Sequence, residues 1–318
     1  MSPPVVVVLV ATYRRAEELR RLGGCLAVQT VPVARVVVAD NAGDPATQAV
    51  VDAFPVSSTY LPMGDNPGCG AGLRAAEDYL AGGDAGTHWW ILDDDAVPPP
   101  DALEKLLEAL ALSGAGMAVP LLTDKGGGVW GFPEPVDRKQ RRLFRQTTDP
   151  GVVARELGSE PQACVWTTGA CQLVSVEAAR EAGLHRGDFW MLGEDLDFSM
   201  RVSRLSGAVF RADVLVPHLP PGTAGNGAAE RTGYAKFCAL LQNLTYLAFW
   251  NRGSGHMVRY LPGNFRRFFR DEGWGPGRLR DAVDCFVSGL CGYPAGHAAG
   301  ARIRGRMTDD GGQPKADS

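Results

Sequence analysis

The sequence predicts an α/β fold: a mostly parallel sheet flanked by helices, followed by a C-terminal helical extension. Three observations carry this. Apolar strand-like runs alternate with helical stretches up to residue 110, the pattern of a parallel sheet covered on both faces. Acids and amides stand where those strands stop, at Asp40-Asn41 and Asp93-Asp94-Asp95. Beyond residue 220 the strand signal ends and aromatic-rich helical stretches take over.

The elements follow in order. Residues 4–11 are a continuous β-branched run, read as a central strand. Residues 16–29 carry Leu19, Leu22 and Leu26 at helical spacing. A strand over 36–39 closes on Asp40-Asn41, and Asp44 caps a helix over 45–54 whose first position is Pro45. A short strand over 59–61 leads into the glycine turn Gly64-Asp-Asn-Pro-Gly-Cys-Gly-Ala-Gly72 and a helix over 73–80. The apolar run 88–92 ends in three aspartates and a proline stop. Asp101 is placed as the cap of the next helix, whose Leu103, Leu106, Leu107 and Leu110 form a core stripe.

Residues 118–122 read as a strand, whereas 123–160 are rich in Gly, Pro and Arg with weak periodicity, as in a long functional or disordered loop. Strand character returns over 163–174, interrupted at Thr167-Thr168-Gly169, and a helix covers 176–182. A further helix opens at Gly193-Glu194-Asp195-Leu196-Asp197 and runs to about residue 205. Two short strands, 208–211 and 214–216, end at His218. Residues 223–230 read as a mobile glycine-rich loop, 234–250, 257–269 and 281–290 as helices, and 304–318 as a disordered tail. The domains expected are a catalytic unit over 1–220, with a donor half to about 118 and an acceptor half after it, a helical extension over 221–303, and the tail.

Composition is that of a soluble globular protein: 318 residues, 45% apolar and 21% charged. The net charge of −4 gives no reason to expect a nucleic-acid partner. No apolar run reaches the ~18–20 residues that span a bilayer, and Met1-Ser-Pro-Pro lacks the basic start of a signal peptide. Seven scattered cysteines without a CxxC pair suit buried free thiols in a reducing cytoplasm. Residues 257–269, with Arg259, Tyr260, Phe265, Arg266 and Phe269, have the make-up of an interfacial basic-aromatic helix, so peripheral contact with the inner membrane face stays open beside simple packing. A homo-oligomer is also left open.

The chemistry concentrates at strand ends. Adjacent carboxylates with an open approach are hard oxygen ligands for Mg²⁺ or Mn²⁺, which in turn bind phosphate oxygens. Open α/β sheets bind ligands at the carboxyl ends of their strands, which favours a metal and phosphate site over a solvated acidic loop. The turn holding Gly68, Gly70 and Gly72 offers backbone N–H groups to an anion, and Arg74 adds charge. A dinucleotide fingerprint would follow the first strand, where Thr12-Tyr13-Arg14-Arg15 has no glycine, so NAD-type binding is disfavoured. Asp40 can accept from a base or ribose, or else form an Asx turn. Glu194, Asp195 and Asp197 at a helix start stay ionised, as a general base requires, or cap the helix and pair with Arg201.

In the order strand–Ala-Thr-Tyr-Arg, Val-Val-Ala-Asp-Asn, Asn-x-Gly-x-Gly-x-Gly, Leu-Asp-Asp-Asp and Gly-Glu-Asp-Leu-Asp-Phe-x-x-Arg, the chain resembles the family 2 inverting glycosyltransferases of GT-A fold, with their Rossmann-like nucleotide-binding sheet. It looks most like the bacterial galactofuranosyl- and rhamnosyltransferase branch, over residues 5–220. The resemblance implies a nucleoside-diphosphate sugar donor (UDP-galactofuranose, another UDP-sugar, or a dTDP-rhamnose-like donor) and a divalent metal. It implies a glycan, lipid-linked or small-molecule acceptor. Thr12, Arg14 and Asp40 would hold base and pyrophosphate, and Asn66, Gly68 and Arg74 would lie against the nucleotide sugar. Asp93, Asp95 and His218 would bind the metal, with Asp94 near the ribose. Asp195 would be the base, with Glu194, Asp197, Trp166 and Gly169 on the acceptor side. Two other classes remain: a nucleotidyltransferase, which would want a glycine-rich basic loop after the first strand, and a non-catalytic sugar-nucleotide or glycan binder, which would not need Asp195.

Overall fold

The computed structural model describes residues 3–131, 133–219, 227–251, 255–272 and 275–292. They form two compact units, one of residues 1–186 and 195–221, the other of residues 187–194 and 222–318.

The first unit is built on one sheet. Strands β1 (Val6–Thr12), β2 (Arg35–Asp40), β3 (Ser58–Pro62) and β4 (His88–Asp93) alternate with helices α1 (Ala16–Ala27), α2 (Pro45–Asp52) and α3 (Cys69–Ala81), as the alternation of the sequence requires. Helix α4 (Ala102–Ser113) leads to β5 (Met117–Thr123), then β6 (Glu134–Pro135), α5 (Arg138–Gln146) and α6 (Pro150–Leu157). Strands β7 (Gln162–Trp166) and β8 (Cys171–Ser175), helices α7 (Val176–Ala182) and α8 (Glu194–Ser206), and β9 (Ala208–Pro217) complete it. The sheet order is β3-β2-β1-β4-β8-β5-β9-β7-β6. β1 to β4 pair in parallel, whereas β8 runs antiparallel to both β4 and β5, and β5 pairs parallel with β9.

Both faces are covered. Val6, Val8 and Val10 point into a core with Leu19, Leu22, Leu103 and Leu106. Val7 and Leu9 point into another with Leu73, Leu80, Phe198 and Phe210. A strand buried on both sides reads as an unbroken apolar run, which is why residues 4–11 carry no alternation.

Four expectations change. Residues 123–160 are not one loop, because Asp137 and Asp149 each accept two backbone N–H bonds and start α5 and α6. Periodicity is weak there because each of these helices buries a single residue, Phe144 or Val153. Asp101 makes no capping hydrogen bond and pairs with Lys105 at 2.7 Å instead. The two short strands before His218 are one strand, β9, whose pairing with β5 slips between Pro120 and Leu121 and so absorbs the extra residues. The helix expected over 257–269 is a 3-10 turn (Gly255–Tyr260) followed by α10 (Leu261–Glu272), with Pro262 inside the first turn, where its missing N–H costs nothing.

The second unit holds α9 (Gly227–Trp250), the 3-10 turn, α10 and α11 (Pro276–Leu290). Cys238, Leu241, Phe269, Ala282 and Cys285 form its core, with Phe265 packed against them. Phe265 and Phe269 of α10 therefore turn inward. Gly289 lets α11 lie directly on α9, since a Cβ there would meet Thr245 Cβ at 2.8 Å. Among the described residues no helix is long and apolar enough to cross a membrane. The tail 304–318, residues 223–226 of the expected mobile loop, and the side chains of residues 257, 267 and 268 lie outside the described residues.

Candidate active site

The topology gathers the chemistry at one edge. β1, β2, β4, β5 and β9 all end there, and the antiparallel β8 begins there. Following the strand order, that edge presents Asp40, Thr12, Asp93, Gly169 with Ala170, Thr123 and His218.

The three aspartates diverge because consecutive residues leaving a strand point in different directions. Asp93 stays half-exposed at the strand end. Asp94 turns inward, accepting from Thr12 Oγ1 at 2.6 Å and Arg15 Nη1 at 2.8 Å. Asp95 is buried, accepts from Arg15 Nη1 at 2.9 Å through Oδ2, and lies 2.9 Å from His218 Nε2 through Oδ1. His218 is delivered by the backbone: its N–H donates to Thr123 O, while Leu219 N and Val97 N bond to Asp95 O and Pro217 O.

Electrostatics follow the geometry. Burial pushes the Asp94 carboxyl up to about 6, although Arg15 and Thr12 pull the other way. Burial would raise Asp95 too, but His218 and Arg15 outweigh it and hold the carboxyl below its usual range. Burial would lower His218, and the two flanking carboxylates outweigh that and push it up to about 9. Arg15 is thus a clamp on two buried acids. Arg15→Met is expected to destabilise the fold by about 3 kcal/mol, because it strands those acids without their cation; urea denaturation against the wild type measures it.

Asp93, Asp95 and His218 each offer one ligand atom, all within 4.8 Å of one another. Asp95 Oδ1 is buried, and the group that faces it is His218 Nε2 at 2.9 Å. Two hard carboxylate oxygens and one imidazole nitrogen, converging with one carboxylate half-exposed and open to approach, fit a divalent cation such as Mn²⁺. Next to this cluster Trp130 stacks on the His218 ring, with centroids 4.5 Å apart and planes 14° apart. Asp124, Lys125, Gly126, Trp130 and His218 line an open cavity of about 330 Å³.

Asp195 lies in the first turn of α8, its carboxylate oriented by two backbone donors, Gly169 N at 2.7 Å and Leu196 N at 2.8 Å. Gly169 has to be glycine: a Cβ there would sit 2.7 Å from Asp195 Cβ. Gly169→Ala is expected to shift that carboxylate and lower turnover about 10²-fold, the scale of an ångström-level misplacement. Steady-state kinetics beside a melting curve separate this from unfolding.

The other expected site residues fare differently. Arg14 has φ 55, its side chain lies over Tyr13, and the arginine that reaches the aspartates is Arg15. Asp40 is fully buried and accepts from Ala42 N, Asp44 N and Tyr60 OH, which is a turn-stabilising role. Asn66 has φ 45 and donates its N–H to Asn41 O, and Gly68, with φ 104, opens α3. Arg74 pairs with Asp78 on the surface of α3. Trp166 ends β7 with its indole Nε1 buried and unbonded. Glu194 is buried, and Asp197 forms an ion pair with Arg201 that is buried, not on the surface. Sequence reasoning missed Arg15, Trp130 and Lys125. The first was one position away, and the others sit in a stretch without periodic signal.

Residues 7–159, just under half of the chain, match the family model for glycosyl transferase family 2. No curated protein matches the sequence. Among solved structures, the chain is similar to GalNAc-T7 with UDP, GalNAc and Mn²⁺, at TM-score 0.59 and 13% identity, over 90% of this chain and 56% of that one. It is similar to S. aureus TarS 1–349, at TM-score 0.58 and 13% identity, over 98% and 94%. It is similar to the mannosyltransferase PcManGT from Pyrobaculum calidifontis with GDP-Man and Mn²⁺, at TM-score 0.54 and 17% identity, over 99% and 82%. The fold is that of the GT-A glycosyltransferases.

Proposed function

We propose that this protein of GT-A fold is a metal-dependent, inverting glycosyltransferase that moves a sugar from a nucleoside-diphosphate donor to an acceptor hydroxyl. The observation that carries the reading is the convergence of Asp93, Asp95 and His218 at the sheet edge that also presents Asp195 through Gly169. UDP or GDP-Man with Mn²⁺ in two of the similar structures supports the same donor class.

Asp93, Asp95 and His218 would hold the cation, which when bound neutralises charge on the departing diphosphate. Thr12 and Arg15 hold Asp94 and Asp95 in place and so keep the ligand set preorganised. Asp195 takes the proton from the acceptor hydroxyl at its carboxylate, and the oxygen forms its bond to the anomeric carbon as the bond to diphosphate breaks. A single base acting opposite the leaving group gives inversion. The two N–H donors leave the carboxylate little freedom to rotate away from its proton.

Thermal-shift screening of UDP, GDP, dTDP and their sugars with and without Mn²⁺ tests the reading. At about 100 times its dissociation constant, the right nucleotide adds roughly 2.7 kcal/mol in the presence of the metal. No metal-dependent shift with any of them would overturn it.

A further inference from the structure

The cavity beside the metal cluster shares His218 with it and otherwise lies away from the strand ends proposed to hold the nucleoside. Thr12, Asp40 and Asn66 belong to β1, β2 and the turn after β3, at one end of the sheet. The cavity lies beyond the cluster on the other side, between the segment that follows β5 and the residue that follows β9. A nucleoside held at the first end leaves it open.

Its walls are built by local structure. Asp124 Oδ1 accepts from Gly126 N and Gly128 N and folds residues 124–128 into a tight turn. Thr123 and Val129 bridge across its base, and Trp130 N bonds to Leu122 O, which fixes the indole over His218. Only part of the indole is used by that stack, since Trp130 remains 45% exposed. The strap continues past the cavity: Gly131 O accepts from Thr168 Oγ1, and the next residue, Gly169, holds Asp195. The segment 124–131 thus joins the metal ligand to the loop that orients the base.

We propose that this cavity is an acceptor subsite for a neutral saccharide ring, stacked on Trp130 with its hydroxyls bonded to Asp124 and Lys125. The lining decides the class. One large aromatic face suits the C–H face of a sugar, and Asp124 and Lys125 beside it supply the polar groups that a ring's hydroxyls need. One carboxylate and one ammonium together accept from and donate to hydroxyls, each of which does both. An anionic or cationic acceptor would meet a like charge as well as an opposite one. The inference rests on the glycosyltransferase reading above, and it names the acceptor class for that site.

Saturation-transfer NMR on the full chain tests it, with methyl glycosides of glucose, galactose, mannose and rhamnose as probes, in the presence of Mn²⁺ and UDP or GDP. At least one glycoside should bind the wild type, Trp130→Ala should weaken it at least tenfold, and Lys125→Ala should weaken it by two- to fivefold. Trp130→Phe, which keeps a ring against His218, should fall between wild type and Trp130→Ala. Binding that persists undiminished in Trp130→Ala places the saccharide elsewhere and overturns the proposal, as does the absence of binding by every glycoside to the wild type. Mn²⁺-dependent binding of UDP, GDP and dTDP is measured alongside. If it is present while the glycosides fail, the subsite is wrong and the donor reading stands; if UDP, GDP and dTDP all fail to bind with Mn²⁺, both fall.

Discussion

Asp195→Asn is expected to lower turnover about 10³-fold while leaving nucleotide and metal binding intact, because it removes only the proton acceptor. Both carboxylate oxygens of Asp195 accept from backbone N–H groups. An amide in that place can satisfy just one of them, and its own NH₂ cannot take a proton. Asp195→Ala should lose as much turnover and lets Gly169 N find water instead. Single-turnover assays with the donor identified by thermal shift, run beside donor-binding titrations, give the decision. Turnover within threefold of the wild type in both variants would remove Asp195 from the mechanism and favour a protein that binds sugar nucleotides without acting on them.

Asp93→Ala is expected to abolish the metal-dependent part of donor binding and to cut turnover by roughly 10³-fold, equivalent to about 4 kcal/mol of lost charge stabilisation. Among the three ligand residues it is the cleanest to change. Its side chain is 44% exposed and only 3.3 Å from His218, so little folding energy depends on it. Asp95, by contrast, also anchors Arg15, and its loss would disturb Thr12 and Asp94 through that guanidinium. The Mn²⁺-dependent stabilisation by nucleotide, roughly 2.7 kcal/mol at 100 times the dissociation constant, should vanish in Asp93→Ala and in chelator-treated wild type alike. A variant that keeps its Mn²⁺ shift would mean that the ion is held elsewhere.

The first sheet half was legible because its signals are local. An unbroken β-branched run, a capping Asp before Pro45 and leucines three and four apart each depend on residues within a few positions of one another. The stretch over 123–160 resisted for the opposite reason. Its two helices bury one side chain apiece, so their stability comes from Asp137 and Asp149 and from docking, and no stripe marks them. In α10 the sequence pattern leaves open which way the aromatic residues turn, and Phe265 and Phe269 face the core of their own unit.

The residues by themselves determined the strands and helices of the first sheet half and that β2 and β4 end in acids, whereas Asp195 as a base and His218 as a metal ligand are implied only by the family resemblance. Only the tertiary structure decided how those groups divide the work. Arg15 and not Arg14 clamps the acids, because a left-handed φ at Arg14 turns one side chain out and the next one in. Asp94 is a buried brace, His218 comes to Asp93 from 125 residues away, and Trp130 lies on that imidazole. Gly169 is set by a contact 26 residues on, where there is no room for a Cβ beside Asp195. Periodicity and caps are encoded in near neighbours, whereas the direction of a side chain at a strand end depends on the backbone turn and on partners that only the closed sheet brings within reach.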